Sequence, residues 1–179
     1  GEDVTVTRFC IDSREIQASD VFIARTDGQR DGHEFIAAAI KAGAGAVIHS
    51  ADMKLSCPSI QVKDTIQAMD DIAKAIRYQS SAVTFAITGS CGKTTSRSLL
   101  QAICQEAGPT HASIRSYNNN VGVPYSMMHL TEKHQYYVQE VGANDFGEIT
   151  DLLNRLKPSI GMITNASEAH LSGFGSVAG

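Results

Sequence analysis

The feature that most constrains this chain is the octet Thr88-Gly89-Ser90-Cys91-Gly92-Lys93-Thr94-Thr95, which follows the apolar run Ala82-Val83-Thr84-Phe85-Ala86-Ile87. Such a run fits a buried parallel strand. Glycines at a strand–helix turn let backbone N–H groups point inward around phosphate oxygens, and the helix start adds a partial positive charge there. Lys93 can reach β- and γ-phosphates, and the Thr94 hydroxyl can ligate Mg2+. The general phosphate-loop spacing would place a glycine at position 87, which is Ile87, so the match is to a shorter G-x-x-G-K-T-T form. A plain Gly-rich turn capping a helix would use the same residue types. The strand, turn and helix together favour a phosphate loop. Its binding set is then Gly89, Ser90, Cys91, Gly92, Lys93, Thr94 and Thr95, with Lys93 as the catalytic phosphate clamp. Cys91 is expected to act through its backbone rather than its thiol.

Strands and helices alternate on both sides of this loop, which implies an α/β layer structure. In the first half, Val4–Val6 and Asp20–Ala24 read as strands, and Glu34–Ala42 as a helix presenting Phe35, Ile36, Ala39 and Ile40 inward. Ala46–Ile48 and Ser59–Val62 read as short buried strands. A helix starting at Asp64 or Thr65 carries Ile66, Met69, Ile72, Ala73 and Ile76 inward. In the second half, the loop opens a helix over Lys93–Ala107 that buries Leu99, Leu100, Ile103 and Cys104. Tyr136–Glu140 reads as a strand, Gly147–Leu156 as a helix and Ser159–Thr164 as a strand. The polar Tyr78–Ser81 stretch is the candidate linker, dividing residues 1–81 from 82–179. Phe35 and Met127-Met128 read as core residues, and His49, His111, His129 and His134 as surface residues.

Composition excludes some partners. Of the 179 residues, 42% are hydrophobic and 19% charged, as in ordinary globular chains. The formal charge of −4 argues against a nucleic-acid binder, which carries a basic excess. No apolar run approaches the roughly 18 residues that a membrane helix needs, and no secretory leader pattern is present. Cys10, Cys57, Cys91 and Cys104 fall into no metal-ligand spacing, so reduced thiols in a cytoplasmic protein are expected.

Glu140 lies at the carboxyl end of an expected parallel strand, where α/β sheets place their sites. A carboxylate there suits Mg2+, although a solvated strand-end charge would look the same. Asn119 and Asn120 offer amide groups to a substrate, or form an Asn-rich turn. Ser13 and Arg14 offer a hydroxyl and a guanidinium suited to bidentate phosphate contact, or a strand-end turn with a surface ion pair.

These stretches together resemble the Mur ligase family. The loop T-G-x-x-G-K-T-T is typical of that family and of the related folylpolyglutamate synthetases. Tyr117-Asn118-Asn119-Asn120-Val121-Gly122-Val123-Pro124 is similar to its N-x-N-N-x-I-G-V-P segment. Gln139-Glu140-Val141-Gly142-Ala143-Asn144 with Gly147-Glu148-Ile149 is similar to its E-L-G-A-N…G-E-I segment. Thr164-Asn165, Ala169-His170-Leu171 and Phe174-Gly175-Ser176 match its T-N…A-H-L…F-G-S segment. Asp12-Ser13-Arg14 and Asp31-Gly32-His33-Glu34-Phe35 resemble the D-S-R and D-G-H-x-F marks of a uridine-nucleotide-binding domain. Within the family these features point to the branch that adds D-alanyl-D-alanine, because the branch that adds the third amino acid shows T-T-P where Asn119-Asn120 stand.

The resemblance implies a small N-terminal domain, residues 1–81, holding the UDP-linked substrate, followed by the first part of a parallel-sheet ATPase domain, residues 82–179. It implies UDP-N-acetylmuramoyl-tripeptide and D-alanyl-D-alanine as substrates, ATP and Mg2+ as cofactors, and activation through an acyl phosphate. Glu140 and His170 would be catalytic and, with Thr94, would ligate Mg2+; Ser13, Arg14, Asp31, His33, Asn119 and Asn120 would bind substrate. A start at Gly1, a missing first strand–helix unit and a missing lysine helix and third domain suggest an incomplete chain, inactive by itself and open along its last strand. Two other readings stay open: a nucleotide- or UDP-sugar-binding fragment without activity, and a Mur-type ligase for a different amino acid.

Overall fold

The structure is a computed structural model that describes residues 4–26 and 31–167. It divides into two compact units, residues 1–71 and 72–179, and each is taken by itself.

The first unit is built on a four-stranded parallel sheet: β1 (Phe9–Cys10), β2 (Val21–Ile23), β3 (Ala46–His49) and β4 (Ser59–Gln61), in that order. Val21, Phe22 and Ile23 are all buried, as in a central strand covered on both faces. Between β2 and β3 a 3-10 turn (Gly32–Phe35) runs into α1 (Ile36–Lys41), and the Asp31 carboxylate caps the turn by accepting from the His33 N–H. Ile36 and Ala39 of α1 pack on Phe22, Ala24, Ala44 and Val47. Asp20 anchors the entry to β2. Its carboxylate, 1% exposed, accepts from Arg8 at 2.7 Å and from the Gln17 N–H at 2.9 Å. Helix α2 (Thr65–Gln79) starts where Asp64 Oδ1 accepts from the Ile66 and Gln67 N–H groups, and it buries Met69 and Ala73.

The second unit has a parallel sheet in the order β6-β7-β5-β8, with β5 at Val83–Thr88, β6 at Thr110–Ala112, β7 at Tyr136–Glu140 and β8 at Ile160–Ile163. Helix α3 (Lys93–Ala107) connects β5 to β6 and packs Cys104 and Leu100 on Ile87, Val138 and Phe85. Helix α4 (Gly122–Met127) is wholly buried, and α5 (Glu148–Leu156) buries Leu152 and Leu156. The β5–α3–β6 and β7–α5–β8 connections leave in opposite directions along the sheet, so right-handed crossovers put α3 and α5 on opposite faces. The carboxyl ends of β5 and β7 therefore form a topological switch point, the place where open α/β sheets bind ligands.

Several expectations change. Val4–Val6 forms no strand; the pairing begins at Phe9, because β-branched residues without a partner strand gain nothing from extension. β4 is exposed rather than buried, being an edge strand. Phe35 is exposed, since the 3-10 turn rotates it off the face that Ile36 and Ala39 share. Leu99 and Ile103 are exposed at 63% and 67%: Leu100 and Cys104 face the sheet, and their preceding neighbours sit about 100° around the helix. His49 is buried and its Nδ1 hydrogen-bonds the Ala51 carbonyl; His111 is packed against Tyr137 rather than lying on the surface. Met127 and Met128 are core, as read.

Candidate nucleotide and metal site

The turn between β5 and α3 has the conformation its glycines allow. Gly89 has φ +136° and Gly92, the N-cap of α3, has φ +79°, a region that costs L-residues energy. Gly89 also has no room for a side chain, because a Cβ would lie 2.2 Å from Thr164 Oγ1 and 2.9 Å from the Asn165 carbonyl oxygen. Lys93 folds back over the turn, donating from Nζ to the Gly89 carbonyl at 2.6 Å and the Ser90 carbonyl at 3.3 Å. An ammonium has three protons, so one remains for an incoming phosphate oxygen.

The outer arc of the loop is laced to the segment after β8. Asn165 Oδ1 accepts the Cys91 N–H at 3.1 Å and its carbonyl accepts the Ser90 N–H at 3.1 Å. Thr164 Oγ1 donates to the Cys91 carbonyl at 2.7 Å, and the Ser167 N–H donates to Ser90 Oγ at 2.9 Å. The Cys91 thiol is exposed and takes a contact from Asn165 Nδ2 at 3.0 Å. Nothing in the Thr164-Asn165 dipeptide itself signals this supporting role. The only local signal was its place at the end of an expected strand.

Pairing of β5 with β7 sets Glu140 beside Ile87, just ahead of the turn. Glu140 is 2% exposed. Thr94 Oγ1 donates to its Oε2 at 2.8 Å, and Asn118 Nδ2 donates to its Oε1 at 2.7 Å. Its own N–H donates to Ser113 Oγ at 3.3 Å. Among the described residues no Lys, Arg or His forms an ion pair with it. A buried carboxylate served only by neutral donors is costly by itself and favours a bound cation. Hard oxygen donors, one carboxylate and one hydroxyl, fit Mg2+, which is commonly held by one or two carboxylates and completed by phosphate and water oxygens. No group of three or more His, Cys, Asp or Glu side chains that could hold a metal ion occurs among the described residues. His170, the further ligand implied by resemblance, lies outside the described residues.

The structure also shows what the remaining candidates do now. Asn119 Oδ1 accepts the Val121 and Gly122 N–H groups at 3.2 and 2.8 Å and so starts α4. Asn120 is exposed, with Nδ2 donating to Glu148 Oε1 at 3.4 Å. In the first unit, Arg14 is exposed and grips Asp12 with two contacts of 2.9 and 2.6 Å, which raises its already high pKa; Ser13 opens a short 3-10 turn. His33 Nε2 accepts the Ser50 and Ala51 N–H groups at 2.9 and 3.2 Å, leaving Nδ1–H to donate to Asp31. The His33 N–H, and then its ring, hold the Asp31 carboxyl below the usual range. Both ring nitrogens of His33 are thus engaged within the protein.

A parallel sheet whose strand turns through glycines 89 and 92 into a lysine-led helix, with an acidic strand end alongside, defines the phosphate-loop class of α/β proteins. Residues 87–179 match the Mur ligase middle domain, and residues 5–82 match the Mur ligase family catalytic domain; the chain belongs to the Mur ligase family. It is 36% identical to the UDP-N-acetylmuramoyl-tripeptide–D-alanyl-D-alanine ligase of Escherichia coli over 100% of its own length and 40% of that protein's. Against the enzyme of the same name in Bacillus subtilis it is 32% identical, over 98% of this chain and 39% of the other. Among solved structures, MurF from Acinetobacter baumannii superposes with a TM-score of 0.87 at 32% identity, covering 97% of this chain and 38% of that one. MurF from Thermotoga maritima in complex with ADP gives 0.82 at 27%, covering 99% and 42%. The chain thus spans about 40% of the length of the curated relatives it matches.

Proposed function

We propose that this chain forms the ATP-binding and UDP-substrate-binding part of a ligase that joins D-alanyl-D-alanine to UDP-N-acetylmuramoyl-tripeptide, a step of peptidoglycan precursor synthesis in the cytoplasm. The observation that carries the reading is the corner made by Lys93, Thr94 and Glu140 at the carboxyl ends of β5 and β7. The relatives' names support the substrates, and the relative bound to ADP supports the nucleotide.

In this reading the tripeptide carboxylate attacks the γ-phosphorus of ATP and ADP leaves, giving an acyl phosphate. The D-alanyl-D-alanine amine then attacks the acyl carbon and phosphate leaves through a tetrahedral intermediate. Lys93 holds the phosphate chain while the N–H groups at the α3 N-terminus stabilise the charge spreading over the transferring group. Mg2+, when bound, offsets the negative charge of two approaching anions. Glu140 and Thr94 would hold that cation, with His170 as the further ligand that the family resemblance implies. Ser13, Arg14, Asp31 and His33 would bind the uridine diphosphate, and Asn119 and Asn120 offer amide groups to substrate.

The test is release of inorganic phosphate from ATP by the protein that carries this chain, with each peptide substrate supplied alone and together. Turnover that needs the UDP-linked tripeptide and continues only with D-alanyl-D-alanine supports the reading. Turnover with a single amino acid in place of the dipeptide would redirect it to another branch of the family.

A further inference from the structure

We propose that Asn118 is the positioning residue that orients the Glu140 carboxylate for a divalent cation; this rests on the reading of the Thr94–Glu140 corner as a Mg2+ site. Each carboxylate oxygen receives one hydrogen bond, Oε2 from Thr94 at 2.8 Å and Oε1 from Asn118 Nδ2 at 2.7 Å. The amide orientation follows from chemistry, since an ionised carboxylate accepts only and so faces the NH2 end of the side chain. A carboxylate oxygen has room for two partners, so one hydrogen bond on each fixes the plane of the group and leaves a lone-pair direction free on both. A neutral amide achieves this without the charge compensation that would make an Arg or Lys compete with the metal.

Asn118 is itself fixed from both sides of Glu140. Gln139 Nε2 donates to the Tyr117 carbonyl at 3.0 Å, and the Gly142 N–H donates to the Asn118 carbonyl at 2.8 Å. The segment is therefore stapled to β7 at the residue before Glu140 and to the chain two residues after it. Gly142 lets the amide lie flat against the backbone: a Cβ there would stand 3.0 Å from both Asn118 Cγ and Nδ2. The three consecutive asparagines consequently divide the work. Asn118 turns inward to the carboxylate, Asn119 starts α4, and Asn120 points to Glu148.

The experiment titrates Mg2+ into the chain with ATP at fixed concentration, by calorimetry, for the unsubstituted protein, Asn118→Ala, Gly142→Ala, the double variant and Lys93→Ala, with a melting curve for each. Loss of a partner that orients a metal ligand typically weakens metal affinity by 10–100-fold, so Asn118→Ala is expected to raise the half-saturating Mg2+ at least about tenfold, with ATP binding restored at saturating Mg2+ and the melting midpoint nearly unchanged. Gly142→Ala is expected to raise it as well, and the double variant to be no worse than Asn118→Ala because the crowded amide is gone. An unchanged Mg2+ requirement in Asn118→Ala, with binding that Lys93→Ala abolishes, overturns this inference and leaves the proposed function standing. So does a lowered melting midpoint with ATP binding lost even at saturating Mg2+. No Mg2+-dependent ATP binding by the unsubstituted chain overturns both.

Discussion

The hydroxyl of Thr94, the second residue of α3, donates to Glu140 Oε2 at 2.8 Å across 46 residues of chain. A hydroxyl has a single proton and two lone pairs. With the proton committed to Glu140, a lone pair is left to face a cation, and the helix start and the strand end become two sides of one oxygen-lined corner. Thr94→Val removes both functions and is expected to weaken Mg2+-dependent ATP binding by about 10–100-fold. Thr94→Ser keeps both and is expected to stay within about threefold of the parent. Calorimetry with and without Mg2+ separates the two variants.

Gly89 tests the loop as a built object. Alanine there meets Thr164 and Asn165 and must adopt a left-handed φ, whereas alanine at Gly161 meets nothing within 4 Å. Gly89→Ala is expected to lower stability by roughly 1–3 kcal/mol and to abolish ATP binding, while Gly161→Ala is near neutral. Chemical denaturation of the two variants provides the comparison.

Acid stability of the first unit depends on Asp20. Burial pushes its carboxyl up, but hydrogen bonds from Arg8 and the Gln17 N–H outweigh this and the net shift is downward from 3.8. A carboxyl whose folded pKa is depressed contributes stability above its unfolded value, and that contribution is lost as pH falls below 3.8. Removing the cation is more severe than protonating the carboxyl: Arg8→Met leaves a buried carboxylate with no ion-pair partner from Arg8 and is expected to cost about 3 kcal/mol at neutral pH. Urea unfolding at neutral pH and at a pH below 3.8 measures both effects.

His111 gives the second unit an acid-side titration at higher pH. Burial lowers its pKa to about 4, with His134 and His129 adding to the effect and the Ser126 carbonyl opposing it. Its ring stacks on Tyr137, whose hydroxyl burial pushes well up. The folded state therefore holds neutral imidazole, so stability is full above 6.5 and falls between 6.5 and about 4, by up to about 1.4 kcal/mol per pH unit. His111→Gln is expected to flatten melting temperature against pH in that window.

Among the described residues β8 ends the second sheet. All four of its residues are exposed, with Ile163 at 74%. An apolar edge strand of this kind templates pairing with another chain. The 179-residue chain alone is expected to self-associate in a concentration-dependent way, and Ile163→Lys to reduce this. Sedimentation velocity over a tenfold concentration range provides the measurement; a monomer throughout would contradict it.

Strands β5, β7 and β8 and the phosphate loop were legible because each rests on a local pattern, for the loop an apolar run, two glycines, then Lys93-Thr94. The bounds of α3 came from the same signals, but its buried face did not, because Leu99 and Leu100 are equally apolar and only the sheet decides between them. β6 and α4 escaped sequence reasoning for a different reason. Thr110–Ala112 is too short to show alternation, and α4 begins in the Asn119-Asn120 turn and contains Pro124, all of which favour a loop reading. Lys93, Thr94 and Glu140 were each readable from their positions at element ends, and their meeting follows from the β5–β7 pairing. Asn118 and Asn165 were not, since their roles are hydrogen bonds to residues 22 and 74 positions away. That the His33 ring also accepts from the backbone N–H groups of Ser50 and Ala51 has no local signal, since they lie 17 and 18 positions away.

The most direct test of a working phosphate loop is calorimetric titration of ATP with Mg2+ into this chain and into Lys93→Ala. The account predicts saturable binding by the parent that needs Mg2+ and disappears in Lys93→Ala. Equal binding by both proteins would contradict it, because the loop would then not be what holds the nucleotide.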